Sequence, residues 1–194
     1  PYCMEVAKKY GKDYWDGDRK FGYGGYRYIK DRWKSVAQAL IETYEIKSGM
    51  KVLDIGCGKG FLIYEMLKIN PDIQITGIDI SQYAINNSKS EVKSLLKQFD
   101  IRNYLPFKDN EFDLAISLGT LHNLKLHELK IAIPELERVS MQGYIMLESY
   151  RNNNELFNLQ CWALTCETFL DQDTWIKFYD FIKYTGDYEF IYFE

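Results

Sequence analysis

Val52-Leu53-Asp54-Ile55-Gly56-Cys57-Gly58-Lys59-Gly60 carries more structural information than any other stretch of the chain. A short apolar run closes on an acid, and glycine then takes every second position. Phe61, Leu62, Ile63, Met66 and Leu67 follow at helical spacing, so the order is strand, glycine turn, helix. Glycine tolerates positive φ and has no Cβ, so a ligand can come close to such a turn. The N–H groups of the helix that opens near Lys59 point into the same space. A phosphate-binding NTPase loop needs Ser or Thr after Gly-Lys, and Gly60 stands there. The dinucleotide fingerprint G-x-G-x-x-G, counted from Gly56, ends on Phe61 instead of glycine.

Working outward, Ser48-Gly49 breaks the chain before the strand at Lys51–Ile55, and Asn70-Pro71-Asp72 stops the helix that follows the glycines. Ile73–Asp79 reads as a second strand ending in an acid, and Ser81 can cap a helix running to about Lys89. Strands and helices alternating at this pitch predict right-handed βαβ units and a mostly parallel, doubly wound α/β sheet, Rossmann-like, with helices on both faces. Asp79 lies one such unit beyond the glycines, where an acid can accept from both ribose hydroxyls of a bound nucleoside. Ile80 follows it at the strand tip.

Beyond lie Gln98–Asn103 and Leu105-Pro106-Phe107, a fourth strand at Phe112–Ser117, and the turn Leu118-Gly119-Thr120-Leu121-His122-Asn123. Together with D-h-G-x-G-x-G at Asp54–Gly60, these segments resemble, in order, the motifs of the class I S-adenosylmethionine-dependent methyltransferases. The resemblance covers about Met50 to Glu148. It implies S-adenosyl-L-methionine as cofactor and S-adenosyl-L-homocysteine as product, held by Asp54, Gly56, Cys57, Gly58, Asp79, Ile80, Asp100, Ile101 and Leu118. By the same resemblance Asp100 accepts from the adenine amino group and the Ile101 N–H bonds the ring. His122 is a general base or acceptor-binding group on this reading, and a satisfied structural histidine on the other. His127 falls at a polar helical position and reads as surface.

The ends of the chain are less regular. Pro1–Lys30 mixes tyrosine and glycine without period and reads as loop, either covering a ligand or packed on the surface. A helix over Asp31–Tyr44 completes an N-terminal lid of residues 1–47, ahead of a cofactor-binding core at 48–148 and an acceptor side at 149–194. Glu128–Val139 is helical and Gly143–Glu148 a fifth strand. Cys161–Phe169 looks helical, Asp173 can cap a helix at Thr174–Tyr184 that Gly186 ends, and Tyr188–Phe193 alternates as a last, antiparallel strand. Family members end in two antiparallel strands, so the single one here departs from the pattern.

The terminal blocks around Tyr14–Tyr28 and Glu148–Arg151 are similar to small methyltransferases of bacterial surface-polysaccharide loci, which implies a sugar or phosphate-like acceptor such as a capsule phosphoramidate. Arg19, Arg27 and Arg151, with Tyr26 and Tyr150, then become acceptor-binding candidates, since guanidinium pairs bidentately with phosphoryl oxygens. Solvated surface charge is the other reading of the arginines.

Composition sets the remaining bounds. The 194 residues suit one domain, and 46% hydrophobic with 27% charged residues is ordinary for a globular chain. A net charge of −4 argues for a small-molecule acceptor and against nucleic acid. No run reaches the roughly 18 apolar residues of a membrane span. Four cysteines without C-x-x-C spacing, and two unpaired histidines, predict no metal, no structural disulfide and a reducing, cytoplasmic setting. The competing functions are a protein or RNA methyltransferase, a non-catalytic nucleotide-binding module on the same fold, and, more distantly, an NAD enzyme.

Overall fold

A computed structural model describes residues 1–194. Six strands form one sheet: β1 Lys51–Ile55, β2 Gln74–Asp79, β3 Leu96–Gln98, β4 Leu114–Leu118, β5 Gly143–Glu148 and β6 Asp187–Ile191, in the order β3-β2-β1-β4-β5-β6. Every pairing is parallel. The order reverses between β1 and β4, which leaves a crevice at the carboxyl ends of those strands.

Side-chain alternation divides the core. Val52 of β1 with Leu114 and Ile116 of β4 faces α3 (Lys34–Thr43) and α4 (Phe61–Ile69), meeting Ala37, Leu40, Leu62, Ile63 and Met66. Leu53, Ile55, Ala115, Ile145 and Leu147 face the other way. There they meet Leu129, Ile133 and Leu136 of α6 (Leu126–Val139) and Trp175, Phe178 and Tyr179 of α8 (Gln172–Ile182). Each fully buried aliphatic side chain contributes about 1.5–3 kcal/mol relative to exposure, so neither face is dispensable.

The last strand corrects the antiparallel expectation. Helix α8 crosses over between β5 and β6, and a strand–helix–strand crossover in one sheet returns parallel. Lys183, at φ 61, closes α8, so Gly186 has a different task. A Cβ there would lie 2.5 Å from the Gly143 carbonyl oxygen, and its absence lets the chain hug the start of β5.

Other boundaries differ for local reasons. The arm is folded: α1 spans Tyr2–Ala7, α2 spans Lys12–Asp16, and a 3-10 turn covers Arg19–Phe21. Its order comes from aromatic packing, which periodicity does not report, and Ala7 and Trp15 are buried. Helix α5 (Gln82–Asn86) stops short of the expected Lys89. Helix α7 is Asn153–Trp162, started by the Asn152 side chain accepting from the Glu155 N–H at 3.0 Å. The expected Cys161–Phe169 helix goes no further than Trp162, the end of α7, and residues 166–168 turn back to donate to the His122 carbonyl. Asp171, not Asp173, caps α8, accepting from the Thr174 N–H at 3.0 Å. All four cysteines are free. No helix is long and apolar enough to cross a membrane.

Candidate active site

The turn after β1 is shaped by three glycines in the left-handed region, Gly56 (φ 80), Gly58 (φ 54) and Gly60 (φ 69). A Cβ on Gly56 would fall 1.9 Å from the Thr120 Oγ1, so the turn after β4 crosses directly over it. Asp79 fixes the loop from the next strand: its Oδ2 accepts the Gly58 N–H at 2.8 Å and its Oδ1 the Ser81 N–H at 2.7 Å. Burial raises the Asp79 carboxyl above its ordinary range despite those two bonds. The Gly56 and Cys57 N–H groups both donate to the Ile78 carbonyl, which holds the turn against β2.

Above this loop lies a cavity of about 610 Å³, within the range of small-molecule sites. Its floor comes from Asp54, Gly56–Gly58, Asp79, Ile80, Asp100, Ile101 and Leu118, so all nine expected cofactor positions line one space. Its roof is the arm, through Tyr10, Tyr14, Trp15, Tyr23 and Tyr26. Trp15 lies against Gly58, where a Cβ would come within 3.0 Å of the ring, and its Nε1 donates to the Ser81 Oγ at 2.8 Å.

Asp54 is 4% exposed and makes no hydrogen bond to the chain. Burial, and then the charge of Asp79, push its carboxyl up to about 7. An unpaired buried carboxylate beside a second one is costly unless a cation arrives. Asp100 differs, because the Arg102 guanidinium grips it, with Nη2 at 2.6 Å, and holds it below the usual carboxylate range. Burial pushes the Cys57 thiol well up, so it lines the cavity as a neutral group.

A smaller compartment of about 140 Å³ adjoins the main cavity, sharing Tyr14, Tyr23, Gly119, Asn123, Glu148 and Trp162 with it. Here His122, 5% exposed, sets its Nδ1 2.5 Å from the Glu148 Oε2. Burial opposes the charge on Glu148, yet His122 beside it keeps that carboxyl below its ordinary range. The His122 carbonyl accepts from the Glu167 and Thr168 N–H groups at 3.0 and 3.1 Å, which pins the residue from the loop after α7.

The expected acceptor residues do not gather. Tyr26 roofs the main cavity, and Arg19 stands at the smaller compartment, 4.9 Å above the Trp162 ring. Arg27 is exposed. Arg151 is taken up by Glu155 and Glu194, at 2.6 and 2.7 Å, and lines neither space. Tyr150 packs against Leu159, Ala163 and Cys166. His127 is exposed, as its polar helical position implies.

Sequence reasoning passed over three residues. Glu148 had a signal, an acid at the carboxyl end of a strand. Lys59, whose Nζ reaches Asp16 at 2.7 Å and the Tyr26 carbonyl at 2.8 Å, and Trp15 are assigned by tertiary contact alone.

Fold, glycine cradle and paired strand-tip acids define a nucleoside-binding α/β protein. The methyltransferase-domain family profile matches residues 46–186, and the chain belongs to that family, the class I S-adenosylmethionine-dependent methyltransferases. It is 33% identical over 144 residues to the Arabidopsis thaliana tRNA (carboxymethyluridine(34)-5-O)-methyltransferase, covering 74% of this chain and 33% of the relative. Against the Desulfitobacterium hafniense demethylmenaquinone methyltransferase the identity is 34% over 119 residues, covering 57% of this chain and 45% of the relative. The chain thus spans less than half the length of these relatives. Among solved structures, the YcgJ protein of Bacillus subtilis aligns with TM-score 0.61 at 20% identity, over 76% of this chain and 67% of its own. The [4+2]-cyclase SpnF aligns with TM-score 0.61 at 20% identity, over 77% and 57%. At such identities these two likenesses speak for the fold alone, and a cyclase among them illustrates that the fold does not fix the reaction.

Proposed function

We propose that the chain transfers a methyl group from S-adenosylmethionine to a small polar acceptor held under the arm. One observation carries this reading: the buried, unpartnered Asp54 carboxylate opens into a glycine-cradled cavity that also receives Asp79 and the Asp100 turn. The donor set fits the cofactor, because a carboxylate pair offers a place for its cationic amino-acid end and for ribose hydroxyls. When bound, S-adenosylmethionine supplies a methyl on a cationic sulfur, already a good leaving group. The chain's own part is then alignment and exclusion of water. Asp79 orients, the glycine loop admits close backbone approach, Ile101 and Leu118 provide apolar walls, and residues 1–47 act as the lid over them. The core at 48–148 holds the cofactor, and 149–194 completes the acceptor side.

The surface-polysaccharide reading loses its phosphoryl argument, since Arg19, Arg27 and Arg151 do not converge. An RNA acceptor is the second reading, favoured by the tRNA in the names of several relatives, among them the probable tRNA methyltransferase 9B of Bos taurus. The net charge of −4 weighs against it. The test is a thermal melt with S-adenosylhomocysteine. At about 100-fold over its dissociation constant the product stabilises by about 2.7 kcal/mol, a rise of roughly 5–10 °C for a chain of this size. No shift with S-adenosylhomocysteine, or an equal shift with NAD, sinks the reading.

A further inference from the structure

We infer that His122 and Glu148 form a proton-accepting pair in the smaller compartment, and that the acceptor there is a small, ring-borne hydroxyl compound. The inference rests on the proposed methyl transfer and assigns its substrate class. Glu148 Oε2 and His122 Nδ1 are both buried, lie 2.5 Å apart in a charge contact, and have no other partner in the chain to satisfy them. A carboxylate at Nδ1 holds the neutral ring's proton there, which leaves the Nε2 lone pair as the base. His122 lines the compartment. Glu148 acts through the ring and is a positioning residue.

A second unsatisfied acceptor lies beside the pair. Asn123 Oδ1, in its assigned amide orientation, is buried in the same compartment without a partner. A hydroxyl compound that gives its proton to Nε2 and carries a neighbouring donor for the Asn123 Oδ1 satisfies both. An acceptor that is already anionic would meet Glu148, the one acidic side chain of this compartment, while Arg19, its one basic side chain, is engaged by the Gly22 carbonyl and the Trp162 ring. A neutral amine carries a free lone pair and needs no base before it attacks, whereas a hydroxyl does. Tyr14 and Tyr23, 5.2 Å apart edge to face, and Trp162 offer apolar ring surfaces for a cyclic skeleton. In the step the hydroxyl oxygen forms a bond to the methyl carbon, the carbon–sulfur bond breaks with its electron pair staying on sulfur, and the hydroxyl proton passes to Nε2. The imidazolium so formed faces the Glu148 carboxylate until solvent takes the proton.

The spectroscopic test needs no known acceptor. With two histidines in the chain, His127→Gln, an exposed change, leaves the His122 imidazole as the sole signal in long-range proton–nitrogen spectra of the ¹⁵N-labelled protein bound to S-adenosylhomocysteine. The neutral ring should carry its proton on Nδ1, and Glu148→Ala should move it to Nε2. A wild-type ring protonated on Nε2 overturns the inference while leaving S-adenosylhomocysteine binding, and with it the proposed function, intact. In parallel, labelled S-adenosylmethionine is supplied with the low-molecular-mass fraction of a cell extract and, separately, with total RNA. An O-methylated small molecule whose kcat falls about 10²–10⁴-fold in His122→Gln with KM within about threefold supports the inference. Label on an amine or in RNA, or an O-methylated product that His122→Gln leaves unchanged, overturns it.

Discussion

Asp16→Asn should loosen the arm from the glycine loop, and the structure sets the size of the effect. Lys59 sits inside that loop with a side chain only 5% exposed, its Nζ 2.7 Å from the Asp16 Oδ2 and 2.8 Å from the Tyr26 carbonyl. Asp16 is 25% exposed and also accepts from the Tyr83 hydroxyl at 2.9 Å and the Tyr26 N–H at 3.1 Å. Removing the carboxylate charge therefore strands a buried ammonium, at about 2–3 kcal/mol. Lys59→Met leaves a carboxylate that keeps two donors and reaches water, so it should cost less, about 1 kcal/mol. The two changes should couple by more than 1 kcal/mol in a double-mutant cycle of urea unfolding. Because the latch closes the roof over the cavity, about 2 kcal/mol of it should appear as an S-adenosylhomocysteine off-rate on the order of 30-fold faster, read by stopped-flow Trp15 fluorescence. Asp16 lies below its ordinary range: burial opposes its charge, but Lys59, Tyr83 and Tyr26 outweigh that. The latch is thus fully present above pH of about 4 and is lost as pH falls below it. Additivity within about 0.5 kcal/mol, or an unchanged off-rate in Asp16→Asn, refutes the idea that this pair holds the lid.

Gly56→Ala should lower S-adenosylhomocysteine affinity at least tenfold in calorimetry and reduce the melting temperature, since the new methyl would meet Thr120 from Oγ1 to Cβ at a φ of 80°. Asp54→Asn should stabilise the ligand-free protein at pH 8 and weaken S-adenosylhomocysteine binding 10- to 100-fold. A carboxyl held at about 7 against 3.8 in the unfolded chain contributes up to about 4 kcal/mol below pH 4, lost as pH rises to 7, so ligand-free wild type should lose stability over that window and the variant should not. A flat wild-type stability profile there contradicts the unpaired state of Asp54.

How much of this was legible in the sequence depends on whether a residue's role is local. Asp54, the alternate glycines and Asp79 are read from strand periodicity and spacing along one βαβ unit, and the structure brings all nine expected cofactor positions to one cavity. Strand β6 was visible as alternation, but its direction is set by what α8 does between it and β5, a long-range property. The arm was opaque for a related reason. Its order rests on rings packed against each other and on Trp15 lying over Gly58, 43 positions later in the sequence, so no periodicity betrays it. Glu148 carried the signal of an acid closing a strand, as Asp54 and Asp79 do, but only the approach of His122 from the turn after β4 gives that acid its role.

The two acids of the cavity floor explain why the site waits for a cation while the compartment beside it waits for a donor. Asp79 is raised by burial yet satisfied by two backbone N–H groups, so it organises the loop in the absence of ligand. Asp54 has no such donors and lies within the field of Asp79, so its ionised form becomes favourable when positive charge enters. The cost stored there, up to about 4 kcal/mol, is a sizeable share of the roughly 5–15 kcal/mol by which a domain is stable, and a sheet packed on both faces has to carry it. Across the cavity the signs change. Glu148 already has His122 beside it, and the Asn123 Oδ1 next to them is left without a donor. A cationic group is thus drawn to the β1–β2 side and a hydroxyl to the β4–β5 side. The roof formed by Tyr14, Trp15 and Tyr23 spans both and keeps water from competing for either.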